Sequence, residues 1–157
     1  MKEPELLWFD LVNRFAKQSK CKSRAVGAII VKDDCLIAEG FNSAPCGSTT
    51  EECPRQKCNG VDAPSGGALD QAICSHAEAN ALANCAKRGV RTEGAELYVS
   101  CLPCSECAKA VVGAGIKKVV YIDYYDSPLT FHIFEKAKVE FRQFLLPKAT
   151  IEGKNGL

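Results

Sequence analysis

The chain has 157 residues, of which 46% are hydrophobic and 25% charged, the length of one domain and the composition of a folded globular one, which excludes wholesale disorder. Twenty Lys and Arg against nineteen Asp and Glu leave a formal net charge of +1, so no global basic field exists to hold a long nucleic acid. The longest apolar run near the front, Val26 to Val31, is far short of the roughly 20 residues of a membrane span, and Met1 to Asp10 lacks a charged-then-apolar secretory pattern; the expectation is a soluble cytoplasmic protein, one domain over 1–157.

Pro4 opens an amphipathic helix that should run to about Ser19. Leu7, Leu11 and Phe15 repeat at helical spacing, with Leu6, Trp8 and Val12 widening the stripe. Val26–Val31 reads as a buried strand, Lys32-Asp33-Asp34 as a turn, and Cys35–Gly40 as the hairpin partner. From Asn42 to Leu69 the chain is rich in Gly, Pro, Ser, Thr and Cys. It reads as a long irregular insertion, at about 42–73, of the kind that is usually functional or held by something. A helix follows over His76–Lys87, with Ala79, Leu82, Ala83 and Ala86 on its apolar side and Gly89 as its stop. Then come a strand at Leu97–Ser100, a helix at Ser105–Gly113, a strand at Lys118–Ile122, a helix at Leu129–Lys138 and a strand at Val139–Leu145. The polar tail from Lys148 is expected to fray. Strands alternating with helices after residue 89 predict an α/β fold with parallel neighbours under a helical cover.

Ten cysteines, about 6% of the chain, fall below the roughly 8–10% that marks a disulfide scaffold. Without a secretory signal, clustered cysteines point to metal or catalysis. The informative segments are His76-Ala77-Glu78 and Pro103-Cys104-Ser105-Glu106-Cys107. At a helix N-terminus, Cys-x-x-Cys brings both sulfurs onto one turn, where the helix dipole and free N–H groups favour thiolate. One imidazole and two thiolates leave a fourth position open, the pattern of a catalytic zinc. Glu78, two residues after His76, suits proton transfer between water and substrate. Cys104 and Cys107 alone would also fit a redox pair, but the joint pattern is the signature of zinc deaminases.

The sequence resembles the cytidine deaminase superfamily, and most closely its deoxycytidylate (dCMP) deaminase branch. The stretches that carry the likeness are Ser19-Lys20-Cys21, Val26 to Val31, Gly40-Phe41-Asn42, His76 to Ala81, Pro103 to Lys109 and Gly115 to Tyr121, in order over residues 19 to about 127. The resemblance implies a three-layer α/β/α fold around a central mixed five-stranded sheet. It also implies hydrolysis of dCMP to dUMP and ammonia, supplying dUMP for thymidylate synthesis. Zinc would rest on His76, Cys104 and Cys107, with Glu78 carrying protons to N3 and then to the leaving amine. Asn42 would meet the deoxyribose, Ala77 would offer backbone hydrogen bonds near the base, and Tyr125 would lie near the substrate. Arg24 is a chemically sensible partner for the monophosphate, since a guanidinium fork suits phosphate; its plainer role is a solvated arginine at a strand end. Rival activities are deamination of another cytosine nucleotide or nucleoside or of a purine base, or a non-catalytic zinc module, for which an intact Glu78 has no use.

The likeness further implies a homo-oligomer, dimer or hexamer, with dCTP and dTTP as effectors. Gly40-Phe41-Asn42-Ser43 stands where regulated members have Gly-Tyr-Asn-Gly. Ser43 admits a ligand to the backbone less freely than Gly, which bears on that regulation. Some relatives carry a structural zinc bound by a cysteine after the first helix and by ligands of the insertion. Here that implies Cys21, Cys53 and Cys58, with Cys46 or Cys74 as the fourth. Such a site would fix a segment with few apolar residues of its own. Cys35, Cys85 and Cys101 read as small core fillers.

Overall fold

The computed structural model describes residues 3–64 and 66–145; the tail from Lys148 lies outside them. Helix α1 (Glu3–Ala16) leads into the hairpin of β1 (Gly27–Lys32) and β2 (Cys35–Phe41). After the insertion come α2 (Ala77–Arg88), β3 (Glu96–Cys101), α3 (Ser105–Gly113), β4 (Lys118–Asp123), α4 (Pro128–Ala137) and β5 (Glu140–Gln143). Every regular element expected from the sequence is present, with ends moved by a few residues at most. The largest change is at α1, which stops at Ala16; Gln18 and Ser19 then donate to the Phe15 and Ala16 carbonyls in tighter turns.

The five strands form one mixed sheet in the order β2-β1-β3-β4-β5. β1 runs antiparallel to β2 and β3, whereas β3, β4 and β5 run parallel. The hairpin is closed by Asp33 and Asp34, at φ 49° and 57°, a left-handed pair that matches the twist of the flanking strands and that Asp tolerates. The parallel strands are joined through α3 and α4. α1 covers one face of the sheet, where Phe9 and Val12 pack on Ile29, Val31, Tyr98, Val120 and Phe144. The other face buries Ala28, Ile30, Leu97, Val99 and Val119 under α2, α3 and α4. The result is the three-layer α/β/α arrangement with a mixed five-stranded sheet.

Two glycines set how closely helices approach the hairpin. A side chain at Gly27 would collide with the Val12 carbonyl of α1, and one at Gly40 with the Ala77 carbonyl and Ala81 nitrogen of α2. These contacts correct two expected faces. On α1 the buried line is Phe9, Val12 and Ala16, while Leu7 is 55% exposed, because the helix is drawn down where Gly27 lets it approach. On α2 the buried line is Ala77, Ala81 and Cys85, with Ala79, Ala83 and Ala86 exposed. Alanines lie all round this helix, so hydrophobic periodicity has little contrast; the Gly40 contact selects the face instead. Cys85 and Cys101 are buried as expected, but Cys35 is exposed, since it is the first residue of the edge strand, next to the turn.

Among the described residues, the insertion contains only three short 3-10 turns, Thr50–Glu52, Gln56–Asn59 and Leu69–Gln71. Its stem is closed by paired backbone bonds between Ser43 and Ser75, at 3.2 and 2.9 Å. Asn80 of α2 secures the stem by donating to the Phe41 carbonyl at 2.8 Å and the Ser43 hydroxyl at 3.1 Å.

Candidate active site

Two helix N-termini converge beyond the sheet. His76 is the cap residue of α2, with extended backbone, and Glu78 follows in the first turn. Cys104 caps α3, its sulfur accepting from the Cys107 N–H. The Nδ1 atom of His76 lies 3.4 Å from the sulfur of Cys104 and 3.4 Å from that of Cys107. Ligand bonds of about 2.3 Å to sulfur and 2.0–2.1 Å to nitrogen at a tetrahedral angle put N and S about 3.6 Å apart. The three side chains therefore fit zinc with little adjustment. They are, among the described residues, the group of potential ligands whose donor atoms all fall within 4.8 Å of one another.

The electrostatics favour a thiolate at one of the two cysteines. The neighbouring Cys107 thiol, and after it His76, hold the Cys104 thiol down at about 4 against the cost of burial. Cys107 moves the other way, its proton retained by the contact with Cys104 and by burial. Hydrogen bonding to Cys104 raises the imidazole's proton affinity. Glu78 is 4% exposed, and burial pushes its carboxyl up from the ordinary carboxylate range. A carboxyl whose proton affinity is raised beside these three side chains suits both holding and passing on a proton.

These groups open onto a cavity lined by His76, Ala77, Glu78 and Cys104 at one end. The structure places Asn42, Ala77, Arg24 and Tyr125 in its wall. Ala77 is the first residue of α2, so its N–H has no acceptor within the helix. The Asn42 amide braces the chain before β1: its oxygen accepts from the Val26 N–H at 2.8 Å and its nitrogen donates to the Arg24 carbonyl at 2.7 Å. One amide hydrogen and one lone pair are left for a ligand. The Tyr125 ring lies against Gly66 of the insertion. Arg24 sits exposed at the rim and pairs with Asp123 at 2.7 Å.

The insertion supplies much of the rest of the wall, through Arg55, Lys57, Gly66, Leu69 and Ala72. Arg55 and Lys57 were not singled out from the sequence. The signal was present, two cations between Cys53 and Cys58, but nothing in the sequence distinguished them from solvated charges.

A second group of thiols adjoins that wall, and two of its members, Cys21 and Cys74, line the cavity themselves. Cys58 faces Cys53 and Cys21, and Cys74 faces Cys21. Burial pushes the Cys58 and Cys74 thiols up to about 11. Burial also acts to raise Cys53, but backbone N–H groups at Ile73 and Arg55 outweigh it and lower that thiol. Cys46 is exposed. No three of the four sulfurs of Cys21, Cys53, Cys58 and Cys74 share the 4.8 Å spacing of the first cluster.

The family model described as cytidine and deoxycytidylate deaminase zinc-binding region matches residues 3–123. The chain belongs to this family. Its deaminase domain is similar to ComE operon protein 2 of Bacillus subtilis, 38% identical over 141 residues that cover 89% of this chain and 70% of the relative. It is 34% identical to the deoxycytidylate deaminase of Schizosaccharomyces pombe over 148 residues, 92% of this chain but 45% of that longer protein. A solved structure of dCMP deaminase from the cyanophage S-TIM5, in complex with dCMP and dUMP, superposes with a TM-score of 0.76 at 31% identity, covering 92% of this chain and 99% of that one. No helix among the described residues is long and apolar enough to cross a membrane.

Proposed function

We propose that this deaminase converts dCMP and water to dUMP and ammonia at a zinc held by His76, Cys104 and Cys107. The observation that carries the reading is the buried carboxyl of Glu78 beside a three-residue cluster of zinc spacing, in the wall of a cavity. The cyanophage relative in complex with dCMP and dUMP supports the substrate.

When bound, zinc supplies a Lewis acid that makes water nucleophilic near neutral pH. Glu78 takes a proton from the attacking water and delivers it to N3 of cytosine as the oxygen joins C4. It then carries the second proton to the amino group on C4, the C–N bond breaks, and ammonia leaves. Burial raises the proton affinity of Glu78, which suits a group that must both accept and donate. The Ala77 N–H is free to meet the base, Asn42 to meet the deoxyribose with its remaining hydrogen, and Tyr125 to flank the ligand. Arg24, exposed on the cavity wall, would be a candidate partner of the phosphate.

A second zinc on Cys21, Cys53, Cys58 and Cys74 completes the reading. It is supported by the facing thiols of these four residues and by the exposure of Cys46, which favours Cys74 as the fourth ligand. Zinc would draw the four sulfurs to the spacing of a tetrahedral site. Homo-oligomeric assembly and dCTP and dTTP as effectors extend the proposal on family resemblance alone.

The test is kcat/KM for dCMP, deoxycytidine and dCTP at one pH and ionic strength. A charge-assisted phosphate contact predicts a preference for dCMP over deoxycytidine of about 10- to 100-fold. Equal values for those two substrates would take the protein out of the nucleotide branch.

A further inference from the structure

Three cations line the cavity, Arg24, Arg55 and Lys57, and they differ in what already neutralises them. Arg24 is exposed and its guanidinium is paired with the Asp123 carboxylate. Lys57 is half-buried, with its ammonium on the Ala63 carbonyl at 3.0 Å. Arg55 is 6% exposed. Its Nε and Nη2 atoms both donate to one carbonyl, that of Gly67, at 3.0 and 2.8 Å. Among the described residues no carboxylate lies within ion-pair distance of it.

A buried cation is costly unless an anion or several acceptors compensate it. One shared carbonyl uses two of the five guanidinium hydrogens. The rest belong to a group that lines the cavity containing His76 and Glu78. A dianionic phosphate on a cytosine nucleotide supplies the missing charge and two oxygens for the planar fork.

We infer that Arg55, carried into the cavity by the cysteine-rich insertion, is the residue that binds the 5′-phosphate of the substrate and selects nucleotide over nucleoside. The inference rests on the dCMP reading above. It gives the insertion a task in specificity: Cys53 and Cys58 flank Arg55 in the chain, and Gly67, across the same insertion, fixes the plane of its guanidinium. Arg24, already neutralised at the rim, becomes a secondary contact.

The test is kcat/KM for dCMP and for deoxycytidine in wild type, Arg55→Gln and Arg55→Lys, each checked for zinc content and melting temperature. The expected result is a fall in the dCMP-to-deoxycytidine ratio of about 10- to 100-fold in Arg55→Gln, with KM for dCMP taking most of the loss. Arg55→Lys, which keeps the charge but not the fork, should recover part of that ratio. If Arg55 only ties the loop to Gly67, both substrates suffer equally and the ratio stays at its wild-type value in both variants, which overturns the inference. Should Arg55→Gln fail to fold, the Arg55→Lys ratio decides alone: a drop of several-fold supports the phosphate contact, and no change rejects it. A wild-type enzyme that does not prefer dCMP at all would instead remove the dCMP reading, a result distinguishable from either outcome.

Discussion

The His76–Cys104–Cys107 cluster and the Cys21–Cys53–Cys58–Cys74 cluster both gather thiols, but they rest on different supports. The first stands on the caps of α2 and α3, two helices packed on the sheet by Ala81, Cys85, Ala108 and Val111. Hydrophobic burial and helix geometry bring its three side chains together, with N–S distances that approach those of a zinc site. The second belongs mainly to a segment without a core of its own. Among the described residues between Ser43 and Ser75, the buried ones are Cys53, Arg55, Cys58 and Cys74. Three thiols and a guanidinium are all that segment encloses. Where side chains pack, the frame positions chemistry; where they do not, the proposed second zinc would take the place of a core.

The comparison breaks most visibly at Glu78. Glu78→Gln should keep fold and zinc yet lose at least about 100-fold in kcat, because the amide preserves shape while removing the proton carrier. Turnover near wild type in a zinc-replete variant would mean that another group moves the protons.

Cys58→Ser tests the other side. It should lower the zinc content by one per chain and the melting temperature by about 5–10 °C, while the circular dichroism of the sheet and helices survives at room temperature. Cys46→Ser should change neither quantity. Equal behaviour of the two variants would show that the insertion is not metal-held.

A smaller effect probes the frame itself. Arg88 at the end of α2 pairs with Glu39 on β2 at 2.6 Å, and that hydrogen bond lowers the Glu39 carboxyl below its ordinary value. The folded state therefore binds a proton there less readily than the unfolded one. The pair stabilises the fold fully above the ordinary carboxylate range, and the stabilisation is lost as pH falls through the lowered folded value. Glu39 is 27% exposed at its side chain, so solvent screening keeps the effect small. Glu39→Gln should cost roughly 1–2 °C of melting temperature at pH 7, and the difference should shrink as the pH drops below 4. A gap that widens in acid would contradict the sign.

Much of this was legible in the sequence, for identifiable reasons. Elements bounded by strong punctuation, such as the Asp33-Asp34 turn and the Gly89 stop, came out close to place. So did the gathering of His76, Cys104 and Cys107, because each motif starts a helix and the Cys104–Cys107 spacing is a local property. The buried faces of α1 and α2 did not, because Gly27 and Gly40 set them by contacts between distant segments. Arg55 was hidden for the same reason. Its neighbours mark it as a charge in a polar loop, and only the folded insertion turns it into a buried cation facing the cavity.

The most direct test of the account is dCMP turnover during removal and return of zinc. Protein stripped by a chelator and then titrated with zinc should form dUMP and ammonia in equal amounts, with activity rising as zinc fills the His76–Cys104–Cys107 centre. Undiminished conversion by metal-free protein, or none by the fully loaded protein, would contradict it.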